Sequence, residues 1–246
     1  MQTDLWPIVA APFVGSFLGV LILRLPTGAP VLLGRSRCPA CAHTLGPFDL
    51  VPLVSWLALR GRCRYCAAPL ARFYPVIELA ALAVALSAWS ATTGWLLWAS
   101  CGLGWTLLAL AATDQREQLL PDALTLPLIP AGFVVAYVDD PASLLDHAIG
   151  AVAGYAVFVL VEFVYARLRG RAGLGRGDAK LLAAAGAWLG AVALPQVILV
   201  AALSALLVAA ALRLSGRTMH AHSALPFGPF LALAIWALWL FGPLPL

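Results

Sequence analysis

Long apolar stretches alternate with short polar connections along most of the chain. Continuous runs of Ala, Leu, Val and Ile predict helices over 7–23, 73–91, 94–113, 123–138, 147–166, 181–194, 195–214 and 225–241. Most approach the roughly 20 apolar residues that carry a helix across a bilayer. Because the runs do not alternate apolar with polar, a membrane β-barrel is excluded. Pro195 divides the sixth run from the seventh, since proline removes a helical hydrogen bond and crowds the preceding turn. One long polar interruption, 25–72, follows the first run. The expected fold is therefore an all-α polytopic membrane protein of about eight transmembrane helices. It divides into a first helix at 1–24, a cytoplasmic segment at 25–72, and a membrane domain of about seven helices at 73–246. The start, Met1-Gln-Thr-Asp4, lacks the basic flank of a cleavable signal, so the first run is expected to stay as a helix.

Composition agrees with a lipid environment. Hydrophobic residues make up 63% of the 246 positions and charged residues 11%, against about 25% charged in soluble domains. Disordered, coiled-coil and disulfide-scaffold classes are excluded. The net charge of +4 matters less than its placement. All fifteen Lys and Arg fall on alternate connections: Arg24 to Arg72, Arg116, Arg167 to Lys180, and Arg213 with Arg217. Asp4, Asp139, Asp140 and Asp146 occupy the other connections with no cation. Because basic connections stay cytoplasmic, this sorting places 25–72 inside and both termini outside. The cations serve topology, and no nucleic-acid partner is expected.

Segment 25–72 holds Cys38-Pro-Ala-Cys41 and Cys63-Arg-Tyr-Cys66, with 21 residues between the pairs. Two such pairs can surround one zinc ion with four thiolates. So short a segment has little core of its own, and a metal would staple it. Four cysteines leave no open coordination position, so the site is expected to be structural. The competing reading, two redox pairs, belongs with βαβ patterns that are absent here. His43 is a possible competing ligand, and Cys101 a buried apolar residue.

Asp114 ends the third run and Asp178 follows the turn Gly175-Arg-Gly177 to open the sixth. The topology brings both to one membrane depth. Two carboxyls held close share a proton, and such a pair can activate water and polarise a carbonyl. The glycines would let backbone and substrate approach closely. The plainer alternatives are a helix-end pairing of Asp114 with Arg116 and an N-cap at Asp178. Asp122 is expected to cap the fourth helix. Glu78, inside a span, is expected to find an Arg partner, to snorkel, or to act in the chemistry.

Taken in order, the blocks Gly15-Ser-Phe-Leu-Gly-Val20, Ser36-Arg-Cys-Pro-Ala-Cys41, Asp49-Leu-Val-Pro52, Arg60-Gly-Arg-Cys-Arg-Tyr-Cys66 and Tyr74-Pro75 with Glu78 resemble the type IV prepilin peptidases. So do Asp114, Leu120-Pro-Asp122, Gly175-Arg-Gly-Asp178-Ala-Lys180, Gly186-Ala-Trp-Leu-Gly190 and Pro226-Phe-Gly-Pro229. The resemblance covers nearly the whole chain. It implies a bacterial inner-membrane enzyme in which Asp114 and Asp178 cleave the short basic leader of a prepilin or type II secretion pseudopilin. Gly175, Gly177, Lys180, Asp122 and Glu78 would be supporting or substrate-binding residues. It also implies methylation of the new N-terminus from S-adenosylmethionine, to which the family's first block and the acid matching Glu78 are linked. Gly19 stands where that block carries asparagine, so cleavage without methylation is one alternative. An ion-coupled transporter using the two aspartates is another, although transporter sites lie nearer mid-membrane.

Overall fold

The computed structural model describes residues 4–31, 33–169, 175–215 and 225–243. Arg171 and Arg217, used above for topology, and the first three residues, used for the signal reading, lie outside the described residues. The described residues form helices α1 (Trp6–Arg24), α2 (Val54–Ala58), α3 (Phe73–Ala91), α4 (Trp95–Glu117) and α5 (Asp122–Asp139). They continue as α6 (Leu144–Arg169), α7 (Arg176–Leu189), α8 (Leu194–Leu214) and α9 (Gly228–Phe241). Apart from α2, which belongs to the polar segment, these match the eight expected runs one to one. Six of them, α1, α3, α4, α5, α6 and α8, are long and apolar enough to cross a membrane. The other two, α7 and α9, have 14 residues each. Leu145, Val152, Leu160 and Phe163 on α6, and Leu199, Leu206 and Leu207 on α8, are exposed, as lipid-facing side chains must be.

The sixth helix is shifted from the expected 181–194 to Arg176–Leu189. Gly190, at φ +79°, ends it in a conformation that side-chain-bearing residues avoid. Pro195 therefore starts α8 rather than splitting a longer helix, and its missing N–H costs nothing in a first turn.

Two compact units divide the chain, 1–109 and 110–246. In the first, α1 packs on α3. A methyl group added at Gly15 would lie 2.6 Å from the Glu78 Cα, so only glycine permits this approach. In the second, α7 is buried at Asp178, Ala179 and from Leu181 to Trp188, and packs against α5, α6 and α9. Its alanines and Gly186 let neighbouring backbones come close, and Gly186 meets the Gly150 backbone of α6 directly. Trp188 Nε1 donates to the Leu128 carbonyl of α5 at 2.8 Å, fixing the far end of α7. The net effect is a rigid, central α7 whose first turn presents Asp178.

Candidate active site and metal centre

The two cysteine pairs fold into matching loops. Ala42 and Ala67, each following a second cysteine, have φ of +57° and +56°. Their N–H groups donate to the Cys38 and Cys63 carbonyls, both at 2.9 Å. Cys38 and Cys63 in turn donate to His43 and Ala68 carbonyls, closing each loop. All four sulfurs lie within 4.8 Å of one another. The Cys38 and Cys66 sulfurs are 3.8 Å apart, close to the roughly 3.8 Å that tetrahedral zinc–sulfur bonds of about 2.3 Å impose. Backbone N–H groups of Cys41 and Ala40 lower the Cys38 thiol, favouring the thiolate that a metal binds. The donor set therefore fits one tetrahedral metal ion. The His43 ring stacks on Tyr65 with centroids 3.7 Å apart. Cys101 is buried, as expected.

Asp49, quoted above only as part of a motif, joins the second loop to the rest of the segment. Its carboxylate accepts from Gly46 N–H at 3.0 Å, Arg64 Nε at 2.7 Å and Tyr65 hydroxyl at 3.2 Å. The Gly46 amide and then Arg64 and Tyr65 hold it below the usual carboxylate range.

Asp114 and Asp178 are both buried and both belong to the 110–246 unit. The charge of Asp114 acts on Asp178. A glycine amide at a helix start holds the Asp114 carboxylate. Gly228 N–H, at the first residue of α9, donates to Asp114 Oδ2 at 2.9 Å. Gly175, the N-cap of α7, lies beside the other carboxylate: a methyl group there would be 3.3 Å from Asp178 Oδ2. Asp178 is thus the third residue of α7 and reaches back to its N-cap, rather than being the N-cap itself. Helix N-termini carry partial positive charge, which suits these positions to anions. Gly177 is required by close packing, since a methyl group there would lie 2.8 Å from the Leu120 Cβ.

Asp122 does not cap α5; Pro121 is the N-cap and makes no side-chain bond. Its carboxylate instead pairs with Lys180 Nζ at 2.5 Å, linking α5 to α7. The pairing follows from tertiary packing of the two helix starts. Glu78 finds no Arg among the described residues. Its Oε2 accepts from Leu53 N–H at 2.7 Å. Leu53 has φ +60° and begins α2, so Glu78 satisfies a strained helix start that would otherwise be orphaned. A methyl group added at Gly19 would lie 3.8 Å from the Phe73 and Tyr74 rings, an ordinary contact.

Gly228 was not singled out from sequence. The available signal was Pro226-Phe-Gly-Pro229: a glycine between prolines at a helix start leaves a free amide and no side chain.

A family model described as "Bacterial Peptidase A24 N-terminal domain" matches residues 9–92. One described as "Type IV leader peptidase family" matches residues 101–210. A prepilin leader peptidase/N-methyltransferase of Burkholderia pseudomallei (strain 1026b) is 44% identical, covering 96% of this chain and 84% of its own. Proteins of the same name from Aeromonas hydrophila and Pseudomonas aeruginosa are 41% and 38% identical, covering 93% and 96% of this chain and 87% and 89% of theirs. No solved structure matches. With the two domain models in chain order and this identity along nearly its whole length, the chain belongs to the type IV leader peptidase family.

Proposed function

We propose that this chain is an aspartic endopeptidase of the bacterial inner membrane that removes the leader of a prepilin or pseudopilin and then methylates the new N-terminus. The observation that carries the cleavage reading is the pair of buried carboxylates, Asp114 and Asp178, the first oriented by the Gly228 amide and the second set in the first turn of α7. The pair holds one proton between its carboxyls. The ionised carboxylate takes a proton from water as the water oxygen attacks the scissile carbonyl carbon. The protonated partner donates to the carbonyl oxygen. The tetrahedral adduct collapses when a proton passes to the departing amine, and the C–N bond breaks. The Gly228 amide fixes Asp114 and the buried first turn of α7 fixes Asp178 before substrate arrives, so little reorganisation is needed. Lys180 and Asp122 form a charged rim that supports contacts to the leader.

The basic sorting supports an orientation with the cysteine segment and both aspartates cytoplasmic and both termini outside. Zinc in the four-cysteine centre, at Cys38, Cys41, Cys63 and Cys66, shapes the 25–72 segment. S-adenosylmethionine supplies the methyl group, as the N-methyltransferase names of the relatives support. The reaction partners are the pilin-type substrate and the bilayer.

The test is co-expression with a prepilin and mass measurement of its N-terminus, which reads cleavage and methylation together. Asp114→Asn and Asp178→Asn should each abolish cleavage while the chain still inserts in the membrane. The double variant should be little worse than either single one, because the pair acts as a unit. Near wild-type cleavage by either variant would sink the aspartic mechanism. A reporter active only outside the cytoplasm should work after Ala91 or Pro141 and be silent after Gly170; the reverse pattern refutes the orientation.

A further inference from the structure

The 110–246 unit holds an acid inside a span that the cleavage mechanism does not use. Glu162 lies on α6, within the stretch Pro141–Leu168 that is long and apolar enough to cross a membrane. It is part-buried. Among the described residues it makes no hydrogen bond or ion pair. At the spacings where helical side chains meet, it has Phe158 and Val159 before it, Tyr165 and Ala166 after it, and no cation. Arg167 lies instead over the Phe163 ring, 4.9 Å from its centroid. An ionisable group in a span is costly, and without a structural partner it marks a function.

The register of α6 against α7 gives the position of Glu162. A methyl group at Gly150 would lie 2.8 Å from the Gly186 carbonyl oxygen, and one at Gly154 2.5 Å from that of Leu182. Four residues forward on α6 thus match four residues back on α7. The helices are antiparallel, and Phe158 comes level with Asp178. A second contact gives the same level independently. The buried Phe158 ring packs against Phe227, with centroids 6.3 Å apart, and the next residue, Gly228, donates its N–H to Asp114. Glu162 is four residues past Phe158, about 6 Å along the helix axis and turned by about 40°. It therefore stays on the side of α6 that meets the start of α9. It stands one turn beyond both aspartates, toward the Arg169 end of the helix. The basic sorting supports a cytoplasmic position for that end, where a leader arrives. The other acids at this level are committed or stand in water. Asp122 is paired with Lys180. Glu117, the last residue of α4, is exposed, where an ion pair contributes little.

We infer that Glu162 is the acceptor for a leader cation, taking a lysine or arginine side chain about two residues before the scissile bond. The inference rests on the proposed cleavage and names a substrate contact of that same site. The offset of about 6 Å from the dyad equals about two residues of extended chain. A part-buried carboxylate accepts such a cation, repels an acid and is left unpaired by a neutral residue, so it selects among leaders. The gap of one turn also holds the cation away from the dyad, whose shared proton a nearer positive charge would expel.

The test uses the purified full chain in detergent and a prepilin carrying Lys, Gln or Glu two residues before the scissile bond. The readout is the ratio of kcat/KM between leaders, so loss of folded enzyme cancels within each variant. The wild-type chain should favour the Lys leader over the Gln leader about tenfold. Glu162→Gln should bring that ratio to within about twofold of unity, and Glu162→Lys should turn the preference toward the Glu leader. With the wild-type chain, moving the lysine to four residues before the bond should lower kcat/KM about fivefold, a reading that needs no variant. A Glu162→Gln chain that keeps the wild-type ratio, whether by equal activity or by equal loss on both leaders, would overturn the assignment. So would a wild-type chain indifferent to the position of the lysine. A wild-type chain that cleaves none of these leaders would overturn the peptidase reading itself.

Discussion

Replacing Gly228 with alanine tests how the Asp114 carboxylate is held. The added methyl carbon would lie 2.7 Å from Asp114 Oδ2, 3.0 Å from its Cγ and 3.2 Å from its Cβ. Ordinary contact begins near 3.4 Å, so the carboxylate or the start of α9 must move by roughly 0.7 Å. That shift breaks the 2.9 Å bond from Gly228 N–H. Hydrogen bonds to charged groups contribute about 1.5–3 kcal/mol, and misplacing a reacting group by about 1 Å costs on the order of 10²-fold in rate. Each route gives a loss of about ten- to a hundredfold, expressed in kcat with KM little changed, because the amide acts on the reacting group and not on the leader. The assay is prepilin cleavage by purified enzyme in detergent, followed by mass or gel shift. Gly102→Ala is the control. That position has nothing within 4 Å of the added carbon, and in a helix the change should be neutral or stabilising by about 0.5–1 kcal/mol. Cleavage by Gly228→Ala within twofold of wild type, at equal expression, would refute the claim that this amide positions Asp114.

Replacing Cys38 and Cys41 together with serine should remove the metal, read as loss of about one zinc per chain by elemental analysis, and unfold the 25–72 segment to proteases; full metal retention would refute the four-cysteine centre. Asp49→Asn should lower the thermal stability of that segment by about 1 kcal/mol, discounted because Arg64 is half exposed. The Asp49 carboxyl is depressed in the folded state, so its contribution is present above the ordinary carboxylate value and is lost as pH falls through the folded value; the Asn variant should lack that acid-limb dependence in a melting series. Gly186→Val should impair accumulation of the folded chain, since any side chain there meets the Gly150 backbone. Asp122→Asn should cost no more than about 1 kcal/mol in melting experiments, because the carboxylate paired with Lys180 is exposed.

Much of the architecture was legible in the order of residues, because bilayer thickness sets the length of an apolar run and each run satisfies its own backbone. Hence all eight segments appear in the expected order, seven of them close to their expected bounds, and α8 begins where Pro195 indicated. The cysteine pairs were legible for the same local reason, since a C-x-x-C loop closes over four residues. The start of α7 was not, because Asp178-Ala-Lys180 is polar and hydropathy favours its later residues, whereas close packing and Gly190 define the observed helix. Tertiary structure alone decided the partners of the chemical groups. Gly228 reaches Asp114 across 114 residues, Leu53 supplies the donor to Glu78, and Lys180 takes Asp122 from the capping role its position suggested. Sequence specifies which groups need partners; which donor arrives depends on how helices remote in the chain pack, and that distance no local spacing encodes.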